Sequence, residues 1–318
     1  MRRIVFLGDP HLSDRQISTR VDDTTETCLE KFEWVLKYAA SIEADIICTG
    51  DDFSHTLYSN KTRYRLKEML GVYKRQGYKF VSISGNHSGD VEDRDFSSVR
   101  FRELGLFCMD GYVTFLGDLK QEGKPDIYLL DDLNGIVGFS AYEAELVVAG
   151  NYKAGVVGLV CHHWIGDAFN DSLVVYPDDM KKVFPNLKFI VAGHDHAFHE
   201  PYVSRDGVLV VRPGSMMRTD AGESSRRIPC VAVWDPNADV WEYVPIACAR
   251  PYDEVFYSEK RGINADSVNA LDQFVRRMQN QTGTVMDINE AIKEQFEKVP
   301  TEDQDLVRAD LVSQGFVV

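Results

Sequence analysis

The sequence predicts an α/β fold, with two packed sheets, helices outside them and a small helical appendage at the C-terminal end. Three observations predict it. Strand-like and helix-like segments alternate through the first hundred or so residues, short strands with turn punctuation dominate from about residue 107 to 245, and amphipathic helical stripes lie beyond residue 250. An alternating start that passes into a β-rich half suits two sheets packed face to face, with the early helices outside.

Ile4-Val5-Phe6-Leu7 is an apolar run suited to a strand buried on both faces. Asp23-Thr24-Thr25-Glu26 resembles a capping box and opens a helix whose Leu29, Phe32, Val35, Leu36 and Ala39 form one apolar stripe. A strand follows over residues 45–49, then a helix over about 61–76 with Tyr64, Met69, Leu70 and Tyr73 available for packing. Lys61, Arg63, Arg65 and Lys67 on that helix read as a solvated face, and Gly77 ends it. The next strand runs to Ser84.

Further strands are expected over residues 112–116, 127–130, 136–139, 156–160, 189–191, 202–203, 208–211, 231–234 and 241–244. Asp132-Leu133-Asn134-Gly135 marks a hairpin. Beyond residue 250, Val268, Leu271, Val275 and Met278 share one helical face, as do Ile288, Ile292, Phe296 and Val299. Pro300-Thr301 with Gln304 starts a third helix. The division expected is a main domain over residues 1–249 and a small helical region over 250–318.

A chain of 318 residues with 44% hydrophobic and 27% charged residues is neither disordered nor fibrous. Its net charge of −15 excludes a surface that attracts nucleic acid over its whole area, although one groove can still be basic. Met1-Arg2-Arg3 runs straight into the first strand, so no signal peptide is expected, and no apolar run reaches membrane-spanning length. Cys28, Cys48, Cys108, Cys161, Cys230 and Cys248 are scattered without a CxxC, as in a cytoplasmic protein with reduced thiols.

Five short clusters follow the apolar runs: Gly8-Asp9-Pro10-His11, Gly50-Asp51-Asp52, Gly85-Asn86-His87, Cys161-His162-His163 and Gly193-His194-Asp195-His196. Six of the eight histidines lie in them, a concentration that packing does not explain. Strands that each end in such residues bring them to one sheet edge, and residues i and i+2 share a face, as Asp9 with His11 or His194 with His196. Oxygen and imidazole donors suit Mn, Fe, Zn or Ni rather than a structural thiolate zinc. A carboxylate such as Asp51 has two oxygens and can bridge two cations, which about 3.5–4 Å apart clamp the attacking and leaving oxygens of a phosphoryl displacement.

The order DxH, GD, GNH, H, GHxH over residues 1 to 245 resembles the calcineurin-like metallophosphoesterase superfamily. The resemblance implies a four-layer αββα sandwich of two mixed sheets. It implies two divalent cations, Mn2+ foremost, with Fe, Zn, Ni or Mg as alternatives. Asp9, His11, Asp51 and His196 resemble the ligands of the first; Asp51, Asn86, His194 and one of His162 or His163 those of the second. His163 is preferred, because His163-Trp164 is similar to the segment of phage repair nucleases in which the His before Trp is the ligand. Asp51, Asn86 and His87 form the implied catalytic group, with His87 touching the phosphate and protonating the leaving oxygen after attack by a hydroxide shared between the cations.

Arg212-Pro213-Gly214-Ser215-Met216-Met217-Arg218 narrows the resemblance to SbcD-type DNA repair nucleases, phage-encoded ones in particular. It implies Arg212, Ser215 and Arg218 as substrate contacts, DNA as substrate in repair or recombination, exo- or endonuclease activity, and a bacterial or phage-infected cytoplasm. An SbcC-type ATPase is the implied partner, a homodimer is allowed, and residues 250–318 take the capping or partner-binding role. The chain departs from some family nucleases in having Ser54 where they carry a second catalytic histidine, and Ser88 after GNH. The rival reading on the same ligands is a phosphodiesterase or phosphatase for a cyclic nucleotide or phosphoprotein, which the acidic composition suits.

Overall fold

The computed structural model describes residues 2–54, 57, 59–83, 85–87, 103–115, 127–129, 136–139, 155–166 and 174–256. Along the first part of the chain come β1 (Arg3–Leu7), α1 (Thr24–Ser41), β2 (Ala44–Cys48), α2 (Asn60–Arg75), β3 (Phe80–Ser82), α3 (Glu103–Met109) and β4 (Thr114–Phe115). The β-rich part supplies β5 (Ile127–Leu129), β6 (Ile136–Phe139), β7 (Gly158–His162), β8 (Trp164–Ile165), β9 (Val174–Val175) and α4 (Pro177–Val183). It continues with β10 (Phe189–Gly193), β11 (His199–Val203), β12 (Leu209–Arg212), β13 (Cys230–Asp235) and β14 (Val240–Pro245), and then α5 (Tyr252–Val255).

Two mixed sheets result, in the orders β14-β13-β1-β2-β3-β4 and β11-β12-β10-β7-β6-β5. In the first, β1 to β4 run parallel and β13 joins β1 antiparallel. In the second, β12, β10, β7 and β6 run parallel between two antiparallel edge strands. Strand alternation sorts the side chains into layers. Ile4, Phe6, Ile47, Val81, Val160, Phe189, Val191 and Val211 meet between the sheets. Val5, Leu7, Ile46 and Cys48 pack outward with Leu29, Phe32, Val35, Leu66 and Leu70 of α1 and α2. Leu159, Cys161, Ile190 and Val210 pack outward against Phe184 and Leu187 beside α4. This is the four-layer αββα arrangement expected.

Local signals agree with it. The Asp23 carboxylate caps α1, accepting the Glu26 N–H at 2.9 Å. Gly77 stands past α2 at φ 87°, a conformation that a Cβ would strain. The helix α2 face read as solvated is instead paired in part: Arg63 meets the buried Glu103 at 2.6 Å, Arg65 meets Glu26 and Lys67 meets Asp110. The hairpin turn at residues 132–135 lies outside the described residues, while the β5 and β6 on either side of it pair antiparallel.

The chain divides into two units, one comprising residues 1–15, 23–218 and 227–250, the other residues 16–22, 219–226 and 251–318. Within the second, the fully buried Arg20 pairs with Asp22 at 2.7 Å and lies over the Phe256 ring, and the Val21 N–H donates to the Val255 carbonyl. The helical stripes expected from Val268 onward lie outside the described residues. No helix among the described residues is long and apolar enough to cross a membrane.

Candidate metal centre

Parallel strands put the clusters at one end of the sandwich. Asp9 and His11 follow β1, Asp51 follows β2, Asn86 and His87 follow β3, His162 ends β7, and His194 and His196 follow β10. In α/β sheets the carboxyl ends of parallel strands are where ligands bind. The backbone there is unusual: of six non-glycine residues with positive φ among the described residues, Asp9 (27°), His11 (46°), Asp51 (48°) and His194 (78°) belong to these clusters. Such conformations cost energy and persist where the surroundings over-determine them, which happens most at functional sites. Glycine admits the close approach, since a Cβ on Gly85 would lie 2.2 Å from the Asp51 carboxylate and one on Gly193 2.3 Å from that of Asp9.

Among the described residues, three groups have donor atoms within 4.8 Å of one another: Asp9, His11 and His196; His11, Asp51 and His87; and Asp9, Asp51 and His162. His11 Nε2 and His196 Nε2 face each other at 2.8 Å. Asn86 Oδ1 lies 3.0 Å from His162 Nε2 and 3.1 Å from His194 Nδ1, and His162 Nε2 lies 3.2 Å from the Asp51 carboxylate. His87 Nε2 is 3.9 Å from that carboxylate, with its side chain 40% exposed at the open side.

The structure brings His162 rather than the preferred His163 to this cluster. The reason is strand alternation: β7 continues to His162, so His162 keeps to the face of Val160 between the sheets, while Cys161 turns outward. His163 is buried beyond the strand end.

Burial and mutual charge shape the titration. Burial raises the Asp9 carboxyl, although His162 and His196 act against it. Burial also opposes the charge on Asp51, yet His162 and His87 hold it well below the usual carboxylate range. For His162, burial disfavours the proton, but the Asp51 and Asp9 carboxylates outweigh it and push the group up to about 9. Burial, with help from His162, drives His194 down to about 3.

Donor chemistry fits two divalent cations. The donors are carboxylate, amide oxygen and imidazole; His11 and His196 turn ring nitrogens to each other at 2.8 Å, which a proton or a cation between them reconciles, and two further imidazole nitrogens converge on Asn86 Oδ1. Among the described residues, imidazoles are the basic groups within 4 Å of the buried Asp9 and Asp51 carboxylates. His11 Nδ1 is buried with no hydrogen-bond partner among the described residues.

Residues 2–198 match the profile of the calcineurin-like phosphoesterases. The chain belongs to that family. Among solved structures, a protein of Thermus thermophilus is similar at TM-score 0.44 and 12% identity, over 77% of this chain and 99% of that one. A structure titled as a novel archaeal phosphodiesterase is similar at TM-score 0.39 and 11% identity, over 76% and 99%. A dimetal phosphatase from Danio rerio is similar at TM-score 0.41 and 11% identity, over 81% and 99%. A comparison with curated proteins finds no match. These likenesses are too distant to carry residue roles, which rest on the geometry.

Not every expected residue of this calcineurin-like phosphoesterase faces the cluster. Ser215 is buried, its hydroxyl 2.9 Å from the Asp9 carbonyl and 2.5 Å from that of Met217, so it serves the backbone rather than a substrate. Arg218 is buried too, and donates to the Arg250 carbonyl at 2.5 Å. Arg212 lies 3.6 Å from Asp195, which also holds His199 at 2.7 Å, and its guanidinium stands over the Tyr202 ring. Ser54 Oγ donates to the His11 carbonyl, while His55 and Ser88 lie outside the described residues.

Sequence reasoning alone misses Thr49. Its hydroxyl is 3.2 Å from the Asp9 carboxylate, and its carbonyl is 2.9 Å from His162 Nδ1, fixing that ring from behind. Its position just past the end of β2, two residues before Asp51, is the signal that could have found it. Trp164, on β8, packs edge-on to His194 at 5.1 Å.

Proposed function

We propose that the chain is a two-metal phosphodiesterase that cleaves DNA, as an SbcD-type exo/endonuclease of repair or recombination in a bacterial or phage-infected cytoplasm. The observation that carries the phosphoesterase half is Asp51, a buried carboxylate shared by two of the three donor groups and flanked by imidazoles on both sides. The DNA half is supported by the resemblance of the Arg212 to Arg218 segment to SbcD-type nucleases, as sequence rather than as substrate contacts, and by a centre that reaches the surface through His87 and His196.

Asp9, His11, Asp51 and His196 would hold one cation, and Asp51, Asn86, His162 and His194 the other. Bound there, two divalent ions, Mn2+ foremost, supply Lewis-acid charge to the reacting oxygens and make water a nucleophile at neutral pH. Asn86 orients the scissile phosphate through its side-chain amide. His87 moves the proton: its exposed imidazole hands one from a ring nitrogen to the departing oxygen. Asp51 keeps that ring near the centre. An SbcC-type ATPase would act as partner.

Purified protein with Mn2+ is expected to cleave single- or double-stranded DNA, and His87→Ala to lose that cleavage while keeping its metal. No metal-dependent cleavage, alone or with the ATPase, would sink the nuclease reading. The net charge of −15 and the inward turn of Ser215 and Arg218 favour a small-molecule substrate instead. Turnover of bis-p-nitrophenyl phosphate without DNA cleavage is the outcome that would select it.

A further inference from the structure

Between β12 and β13, residues 213–217 form a loop that touches both halves of the centre. The Ser215 N–H donates to the His196 carbonyl at 3.1 Å, and the Met216 N–H to the Gly8 carbonyl at 2.9 Å. The Ser215 hydroxyl lies between two carbonyls, 2.9 Å from that of Asp9 and 2.5 Å from that of Met217, and its one proton is shared between them. From α1, the fully buried Lys31 donates to the Met216 carbonyl at 3.1 Å. The approach is close enough that a Cβ on Gly8 would lie 2.0 Å from the Gly214 carbonyl oxygen.

Asp9 follows a strand of one sheet and His196 a strand of the other, and one residue is bonded to the backbone of both. Asp9 also sits at φ 27°, a conformation that must be imposed from outside. We propose that Ser215 is a positioning residue that clamps the Asp9 turn to the His196 turn, so that the Asp9, His11 and His196 donors are assembled before a cation arrives. The clamp acts on affinity. Without the hydroxyl, the Asp9 turn relaxes and the cation must pay the ordering entropy itself. Of the other cation's donors, the Asn86 and His162 side chains bond elsewhere, whereas the His194 N–H reaches the Asp9 carboxylate at 2.8 Å, so the second step shares a smaller part of the effect. The inference rests on the metal-centre reading above.

Metal-stripped wild type, Ser215→Ala and a core comparator, Val35→Ala in α1, are to be titrated with Mn2+ by calorimetry, with thermal unfolding measured in chelator. Orienting groups behind a metal ligand change affinity by about 10–100-fold. Ser215→Ala is therefore expected to weaken one of the two binding steps by about tenfold or more and the other by clearly less. Val35→Ala is expected to lose thermal stability and keep both affinities. Unchanged affinities in Ser215→Ala, or an equal weakening of both steps shared with Val35→Ala, overturn the clamp alone. A wild type that takes up no Mn2+ overturns the metal reading, and the clamp with it.

Discussion

The inner and outer halves of the centre use the same residue types but differ in contact with solvent. Asp9, Asp51 and His162 are all but fully buried, whereas the His87 side chain is 40% exposed and that of His196 24%. Burial makes the inner half unstable as it stands: two carboxylates share a dry site with imidazoles, and their proton affinities are driven apart. A cation relieves that conflict. In the outer half His196 still turns to His11 at 2.8 Å among the metal donors, whereas the exposed His87 imidazole is placed to meet a substrate from solution. The buried groups and His196 bind, and His87 reacts.

Asp51 belongs to both halves, so it breaks the comparison most severely. Asp51→Asn removes the charge shared by two donor groups and is expected to abolish both metal retention and phosphodiester hydrolysis, read by metal analysis and bis-p-nitrophenyl phosphate turnover. His87→Ala separates the halves: metal content stays at the wild-type level while kcat falls by about 10²–10⁴-fold, the usual contribution of a positioned proton donor. Loss of metal from His87→Ala would show that His87 also serves binding.

A smaller effect separates two adjacent residues. His162→Ala is expected to lose tight binding of one cation, whereas His163→Ala keeps both, as measured by metal content after dialysis. The pair also shows where sequence reading stops. Apolar runs such as Ile4 to Leu7, and the Asp23 cap, are local features, and β1 and α1 follow from them. The five clusters were legible for the same reason, because a strand end delivers whatever follows it. Choosing between His162 and His163 required the register of β7, which ends two residues later than the apolar run suggests. The sequence offers Ser215 as a substrate contact, whereas its bond to Asp9 spans 206 positions, beyond the reach of any local pattern. The short α4 carries Pro177 at its first turn, acids next and Lys181 and Lys182 last, but it buries too little to form an apolar stripe.

The finest probe of the comparison is pH, because it acts on the inner half without mutation. In chelated protein His162 is raised to about 9, against about 6.5 for an unperturbed imidazole. A group whose folded value is raised stabilises the fold below its unfolded value, and that contribution is lost as pH climbs through the folded one. Chelated protein should therefore melt at lower temperature at pH 9 than at pH 7. His194, held down near 3, stays neutral over that interval and contributes no slope. Cation binding must run the other way, since a ligating imidazole has to give up its proton. Mn2+ affinity should climb from pH 7 towards pH 9, by up to about tenfold per pH unit for one displaced proton, and then level off. Opposite slopes in the two measurements identify a buried protonated imidazole that a cation replaces. His162→Ala should flatten the affinity slope and reduce the melting slope, to which buried Asp52 and the buried thiols also contribute, while His87→Ala should leave both slopes standing.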